Sequence, residues 1–265
     1  SITACRGQIV TRMKEPGPGA PDNGAMSHGL MLLPVLLPIL FWGFYHYHKD
    51  RHLPEPPGHL LLAFGLGLLS AGLSRALYVA LGWASLRYDA LALADGNTLG
   101  LFAYSMLAIG PVEEFAKMLP FLVLVLRLPE MDEPIDGIIY ASFVALGYAA
   151  VENVMYLDYL TPAEAAARGF AGPVVHMLFA SIWGYTIGCA HLRGESILPG
   201  MAGGFLVAAG LHGLYDFIVL QQSLSALPIA AIMIVVGWIW RLRLLRALHA
   251  KAVGGDASPR CGYRD

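Results

Sequence analysis

The segment LAIGPVEEFAKMLP, residues 107–120, places Glu113, Glu114 and Lys117 in the middle of an apolar stretch long enough to cross a membrane. An ionised side chain near the bilayer centre costs roughly 2.5–3.5 kcal/mol on insertion scales. We therefore expect these three residues to face inward and to form a site. On a helix Glu113 and Lys117 lie four positions apart on one face, so they are predicted to pair and to leave the other carboxylate available.

Gly110 and Pro111 stand directly before these acids. Proline lacks a backbone N–H and so removes one helical hydrogen bond. The dipeptide predicts a kink that opens space for water beside the two glutamates.

Three later apolar segments also carry polar side chains. Glu152 and Asn153 lie in the fourth segment, His176 in the fifth, and His212 and Asp216 in the sixth. Because His212 and Asp216 are four positions apart, they share a helix face. An aspartate there can bind a metal beside the histidine or support the histidine from behind.

Structural roles remain open for some of these residues taken singly. Glu152 can be the partner of an arginine, and Arg75 in the second segment is the candidate. A lone membrane histidine such as His176 often only forms a hydrogen bond between helices. A purely structural role is harder to assign to the pair His212 and Asp216 in the sixth segment.

The composition is typical of a polytopic membrane protein. Hydrophobic residues make up 57% of the 265-residue chain and charged residues 14%, with a mean hydropathy of +0.59. We predict an all-α bundle of about seven transmembrane helices, because seven segments approach the ~20 residues that cross a bilayer. These segments are residues 29–47, 59–84, 99–126, 135–157, 170–192, 197–220 and 224–242. They form one intramembrane domain over residues 26–245, between a disordered tail (1–25) and a basic cytoplasmic tail (246–265).

Lysine and arginine positions predict the orientation. With the amino terminus outside, the outer loops hold only Arg87 and Arg168 beyond the amino-terminal tail. The inner side then receives most of the positive charge: Lys49, Arg51, Arg127, Arg193, Arg241, Arg243, Arg246, Lys251, Arg260 and Arg264. The positive-inside rule therefore favours a cell-membrane protein with an outer amino terminus and a cytoplasmic carboxyl terminus. No nucleic-acid partner is expected.

This topology places the polar residues at one depth. Glu152, His176 and His212 lie five to eight residues from the outer ends of their segments, roughly 8–12 Å deep at the helical rise per residue. The glutamate pair reaches a similar depth if the third helix starts near Tyr104. We therefore expect one shared site among spans three to six that opens to the extracytoplasmic side.

Charge counting favours a metal. Glu113, Glu114, Glu152 and Asp216 carry four negative charges against the single positive charge of Lys117. A dry site cannot hold that balance without protonation or a cation. Two imidazoles with one or two carboxylates are typical zinc ligands, and a further glutamate can act as base on the bound water. The chain has no H-E-x-x-H motif, so separate helices must assemble such a site.

At these residues the chain resembles the PrsW family of intramembrane proteases, which is thought to be related to the CAAX prenyl proteases. The resemblance covers roughly residues 107–217. The prenyl proteases have histidine where this chain has Glu152, which places the chain nearer to PrsW. The matching pieces are Glu113-Glu114-x-x-Lys117, the run from Asp136-Gly137 through Gly147-Tyr148-Ala149 to Glu152-Asn153, His176 and His212.

The resemblance implies a metal-associated peptidase that cuts a membrane-anchored protein with a single span, such as an anti-sigma factor. Glu113 or Glu114 would activate a water, and Lys117 would orient the paired glutamate. Asn153, Asp216 and Arg75 would support the site. The metal, expected to be zinc, or the oxyanion would be held by three residues: Glu152, His176 and His212.

Other function classes remain as alternatives. One is a non-catalytic membrane scaffold of the APH-1 type, although the glutamate pair favours an enzyme. Another is a ceramidase-like lipid amidase, although this chain offers two core histidines where those enzymes resemble a three-histidine site. A proton-coupled transporter would suit buried acids, but two related halves with broken helices are not evident.

Overall fold

The structure is a computed structural model that describes residues 28–49, 54–157, 160–221 and 225–253. The predicted disordered tail over residues 1–25 lies outside these ranges. The predicted basic tail is described only to Val253, and up to that residue it continues the last helix.

The described residues are mainly helical and include no strand, which confirms the predicted all-α class. The α-helices in chain order are α1 (His28–Lys49), α2 (Pro57–Trp83), α3 (Ala90–Gly96), α4 (Thr98–Tyr104), α5 (Gly110–Val123), α6 (Pro134–Tyr156), α7 (Pro162–Leu192), α8 (Ile197–Leu220) and α9 (Leu227–Val253).

Five of the described helices are long and apolar enough to cross a membrane, namely α2, α6, α7, α8 and α9. The chain is thus a multi-pass membrane protein, while the total of seven spans stays a prediction. The predicted third span, residues 99–126, is divided into α4, a π-helical turn, α5 and a short 3₁₀ turn. These pieces follow one another directly, so this span is built from shorter segments.

The helix widens into a π-helical turn over Ser105–Ile109, just before the proline. The N–H of Gly110 donates to the carbonyl of Ser105, five residues back. Pro111 follows with no N–H to donate. A π turn holds one more residue than an α turn, and such turns occur frequently at functional sites. The predicted local disruption therefore takes the form of a wider turn directly before α5, which carries Glu113 one turn later.

Helix α7 begins earlier than its apolar pattern indicates. Thr161 and Glu164 form a reciprocal capping box, with Pro162 at the first helical position. This cap starts the helix eight residues before the predicted boundary at position 170. Arg168, predicted to lie in an outer loop, is consequently a helical residue.

Helices α6 and α7 form the centre of the bundle and contribute most of the buried apolar residues. Glycines bring neighbouring backbones together around them. Gly67 of α2 faces Gly147 of α6, and a Cβ added at Gly67 would lie 3.0 Å from the Cα of Gly147 and against the carbonyl of Val144. The α2–α6 seam therefore depends on the absence of side chains at these positions.

This seam predicts different outcomes for two substitutions on α2. Gly67→Val should destabilise the protein by about 1–3 kcal/mol, because backbone atoms of α6 would have to move. Gly65→Val should be tolerated, since nothing lies within 4 Å of a Cβ at that position. Thermal unfolding of the two variants in detergent measures the difference, and equal stability would contradict the close seam.

Candidate active site

Four helices carry the predicted site residues into one cluster. The adjacent acids and Lys117 come from α5, Glu152 from α6, His176 from α7, and His212 with Asp216 from α8. Close backbone contact between α5 and α8 makes this convergence geometrically feasible. A Cβ added at Gly110 would lie 2.7 Å from the backbone nitrogen of Gly213. These two glycines place the glutamate pair next to His212.

Glu114 lies at the centre of the cluster and is fully buried. Its Oε1 accepts from Lys117 Nζ at 2.5 Å and from His212 Nδ1 at 2.7 Å. Its Oε2 accepts from the indole Nε1 of Trp183 at 2.9 Å. Donors from α5, α7 and α8 thus satisfy a carboxylate that would otherwise be very costly to bury.

The predicted pairing of Glu113 with Lys117 is therefore wrong. Positions i+3 and i+4 both face the same side of a helix, and the ammonium group of Lys117 lies between Glu114 and His176. Glu113 is the carboxylate left available. Its Oε2 is buried without a hydrogen-bond partner, and the hydroxyl of Tyr78 on α2 lies 3.5 Å from its Oε1.

His176 bridges two charged groups. Lys117 Nζ lies 3.0 Å from His176 Nδ1, and because an ammonium group can only donate, Nδ1 is the acceptor. The other ring nitrogen, Nε2, then donates to Glu152 Oε2 at 2.7 Å. This chain of contacts fixes the ring between α5 and α6.

Arg168, rather than Arg75, is the arginine that pairs with Glu152. Its Nη2 lies 2.8 Å from Glu152 Oε1, and its guanidinium carbon lies 3.8 Å from the ring centre of Tyr156. Arg75 is exposed on α2. The early start of α7 explains the difference, because it places Arg168 on the helix two turns before His176 and beside Glu152.

His212 presents its second ring nitrogen to two carboxylates. Nε2 lies 3.6 Å from Glu113 Oε2 and 3.5 Å from Asp216 Oδ2. Both distances are longer than a good hydrogen bond. With Nδ1 occupied by Glu114, Nε2 is the nitrogen that can act as a ligand. A carboxylate behind a metal-binding imidazole is the usual supporting arrangement in metalloproteins.

A metal ion fits this donor set. Glu113, His176 and His212 are buried, and each offers a ligand atom within 4.8 Å of the other two. The unpartnered oxygen of Glu113 points to the same conclusion, since a buried carboxylate oxygen without a donor is costly. Both ring nitrogens of His176 have partners, so this residue must release one of them to bind a metal.

Two predicted residues lie away from this donor set. Glu152 stands behind His176 and is held by Arg168, so the structure groups Glu113 with the histidines where the sequence had grouped Glu152. Asn153 is buried with an unpartnered amide nitrogen, and its side chain lies against Gly172 of α7.

Three residues at the site were not predicted from the sequence: Tyr78, Arg168 and Trp183. The capping box at Thr161 and Glu164 could have revealed that Arg168 is helical. An aromatic residue inside an apolar helix carries no comparable signal, since tyrosine and tryptophan are frequent in membrane spans.

Comparison with known proteins identifies the family to which this arrangement belongs. The profile of the PrsW family intramembrane metalloproteases matches residues 55–241, which is most of the chain and includes every residue of the cluster. The chain belongs to the PrsW family. It is therefore a peptidase, and the PrsW assignment argues against the scaffold, lipid-amidase and transporter alternatives.

Curated relatives agree along most of their length. The chain is 30% identical over 212 residues to Protease PrsW of Oceanobacillus iheyensis, covering 80% of this chain and 93% of the relative. It is 29% identical over 229 residues to Protease PrsW of Clostridioides difficile, covering 83% and 90%. With Protease PrsW of Bacillus subtilis it shares 28% identity over 210 residues, covering 79% and 90%. No solved structure gives a significant match to the chain.

The donor set predicts a metal content that depends on particular side chains. Wild-type protein should hold about one divalent ion per chain, and His212→Ala should lose most of it because Nε2 is the open ligand position. Inductively coupled plasma mass spectrometry of the purified proteins measures this. His191→Ala is the control, since His191 is exposed at the end of α7.

A second comparison distinguishes the two carboxylates. Glu113→Ala should lower the metal content more than Glu152→Ala, because Glu113 belongs to the converging donor set and Glu152 supports His176 from behind. The opposite order would return Glu152 to the ligand set, and metal-free wild-type protein with full activity would remove the metal altogether.

Proposed function

We propose that this chain is an intramembrane endopeptidase that hydrolyses a peptide bond with a water activated by Glu113. The observation that carries the proposal is the position of Glu113 Oε2. It is a buried carboxylate oxygen without a hydrogen-bond partner, and it faces the imidazole of His212. Both oxygens of neighbouring Glu114 accept from buried donors, and its side chain is closed to solvent.

The two adjacent glutamates therefore take different roles. Glu114 is a positioning residue, since it accepts from His212 Nδ1 and thereby turns Nε2 toward the reaction site. Lys117 neutralises Glu114 and at the same time holds His176. Glu113 remains as the general base.

Three groups would hold a divalent metal in this site: Glu113, His176 and His212. When bound, such an ion supplies Lewis-acid polarisation of a water and of the scissile carbonyl. Zinc agrees with a set of two imidazoles and one carboxylate. A carboxylate has two oxygens, so Glu113 can contribute one to the ligand set and use the other for proton transfer.

Glu113 first accepts and then donates one proton during hydrolysis. It takes a proton from the attacking water as the water oxygen bonds to the carbonyl carbon of the substrate. It then gives that proton to the leaving amide nitrogen as the carbon–nitrogen bond breaks. The products are a carboxylic acid and an amine, and the glutamate returns to its starting state.

Tyr78 is placed to stabilise the tetrahedral intermediate. Its hydroxyl lies close to Glu113 and interacts electrostatically with Asp216 and Glu152 as well. Among these acids it is a neutral donor that can turn to a developing oxyanion without a change in its charge. Donors aimed at developing charge inside a water-poor site are an effective source of rate acceleration.

The substrate class follows from the location of the site. A buried site within a membrane bundle acts on membrane-anchored proteins, and we propose a single-span protein of the anti-sigma factor kind. With the amino terminus outside, the scissile bond lies in the outer half of the substrate span. Cleavage products from proteoliposomes, mapped by mass spectrometry, would test this position.

Glu113→Gln should abolish cleavage while leaving the protein folded, because the amide keeps the size of the side chain and cannot accept the proton. General-base catalysis contributes about 10²- to 10⁴-fold, and the loss should lie in this range or above it. The measurement is turnover of a single-span substrate in proteoliposomes. Glu130→Gln is the control, since Glu130 pairs with His59 away from the cluster. Normal turnover in Glu113→Gln would refute the proposed base.

Tyr78→Phe should lower kcat by about tenfold or more with little change in KM, since it removes a donor used in the transition state. Tyr140→Phe is the matched comparison, because it also removes one buried hydroxyl, which donates to Glu55 outside the cluster. Equal losses in the two variants would assign the effect to packing.

A further inference from the structure

Arg241 is a buried charge that the proposed reaction does not use. It lies in α9 within the segment that can cross the membrane, and its residue is 1% exposed. Its Nη2 donates to the hydroxyl of Ser142 on α6 at 2.9 Å. Nε and Nη1 are buried and have no hydrogen-bond partner.

No carboxylate in the described ranges forms an ion pair with Arg241. Ser142 offers only a neutral hydroxyl, which itself donates to the carbonyl of Ile138 at 2.6 Å. An arginine is ionised under essentially all conditions, and a buried guanidinium without a counter-charge is costly by several kcal/mol. The buried part of Arg241 therefore lacks an anion.

Arg241 lies beside the contact between helices α1 and α9. Trp238 of α9 packs on Trp42 and Tyr45 of α1, with ring centres 5.2 and 5.7 Å apart. The guanidinium carbon of Arg241 lies 5.8 Å from the Trp238 ring. Helices α1 and α9 thus meet through aromatic side chains, and Arg241 lies near one of these rings.

A second arginine marks the exposed end of this seam. Arg246 lies five positions after Arg241 on α9 and is exposed. Both arginines are near enough to Tyr45 to interact with its hydroxyl electrostatically. Tyr45 of α1 is therefore influenced by one buried and one accessible arginine of α9.

We propose that the seam between α1 and α9 is an anion-binding site that takes a phosphate group. Phosphate matches the planar fork of arginine and can accept from two guanidinium groups at once. Basic pockets between membrane helices are suited to lipid headgroups. Nε and Nη1 of Arg241 are buried, so the aromatic rings or the flexible arginine stem must rotate to admit the ligand.

This site is separate from the proteolytic one. Ser142, which contacts Arg241, precedes Glu152 by ten residues on α6, or roughly 15 Å at the helical rise per residue. Binding here can thus be measured without a substrate, and its outcome does not depend on the proposed reaction.

The test is native mass spectrometry of the full chain in detergent with three probes. These are a phosphatidylglycerol, a diacylglycerol with the same acyl chains, and inorganic phosphate. Wild type should bind the phosphatidylglycerol and not the diacylglycerol. Arg241→Met should weaken binding at least about tenfold, the loss expected for a hydrogen bond to a charged group. Arg243→Met, an exposed arginine on the same helix, should change it less than twofold.

Binding of inorganic phosphate distinguishes a free anion from a lipid headgroup as the ligand. Binding of phosphate alone, lost in Arg241→Met, would assign the site to a free anion, and binding of the lipid alone would assign it to a headgroup. Arg246→Met at the exposed end should weaken either ligand several-fold and serves if Arg241→Met does not fold. Equal lipid and phosphate binding in wild type, Arg241→Met and Arg246→Met would overturn the proposal.

Discussion

The buried carboxylate of Glu114 is the constraint on which the site depends. A charge at that depth is stable only if donors surround it, and here they come from Lys117, Trp183 and His212 on three helices. These bonds fix where α5, α7 and α8 stand relative to one another. Through Lys117 the same network holds His176. Catalytic geometry and bundle packing are therefore satisfied by one set of contacts.

Two adjacent glutamates acquire different properties because their neighbours differ. Glu114 faces the inside of the bundle and meets only donors. Glu113 lies one residue earlier, turned about 100° around the helix, and its surroundings include the acids Asp216 and Glu152. The surroundings of Glu114 hold its side chain in place, whereas those of Glu113 leave its Oε2 without a hydrogen-bond partner. A paired motif on one helix can thus supply both a support and a reactive group.

The sequence predicted the helical class and the main residues of the cluster, because charged groups inside apolar segments are too costly to be incidental. The sequence alone could not show whether Glu113 or Glu114 pairs with Lys117, because side chains of α7 and α8 determine which carboxylate faces the lysine. Arg168 was not predicted at the site because the apolar pattern of its helix begins after it. The helix cap at Thr161 could nevertheless be recognised in the sequence. Tyr78 could be found only from the packing of α2 on α5.

The π-helical turn before the glutamate pair has a consequence for how this segment can diverge. A π turn holds one residue more than an α turn within about the same rotation, so the helix keeps its direction while the chain gains a residue. In an uninterrupted α-helix the same extra residue would rotate every later side chain by about 100°. The wide turn therefore lets this segment carry an additional residue while Glu113 and Glu114 still face His212. A change in chain length ahead of the acids can thus be accommodated locally at this turn.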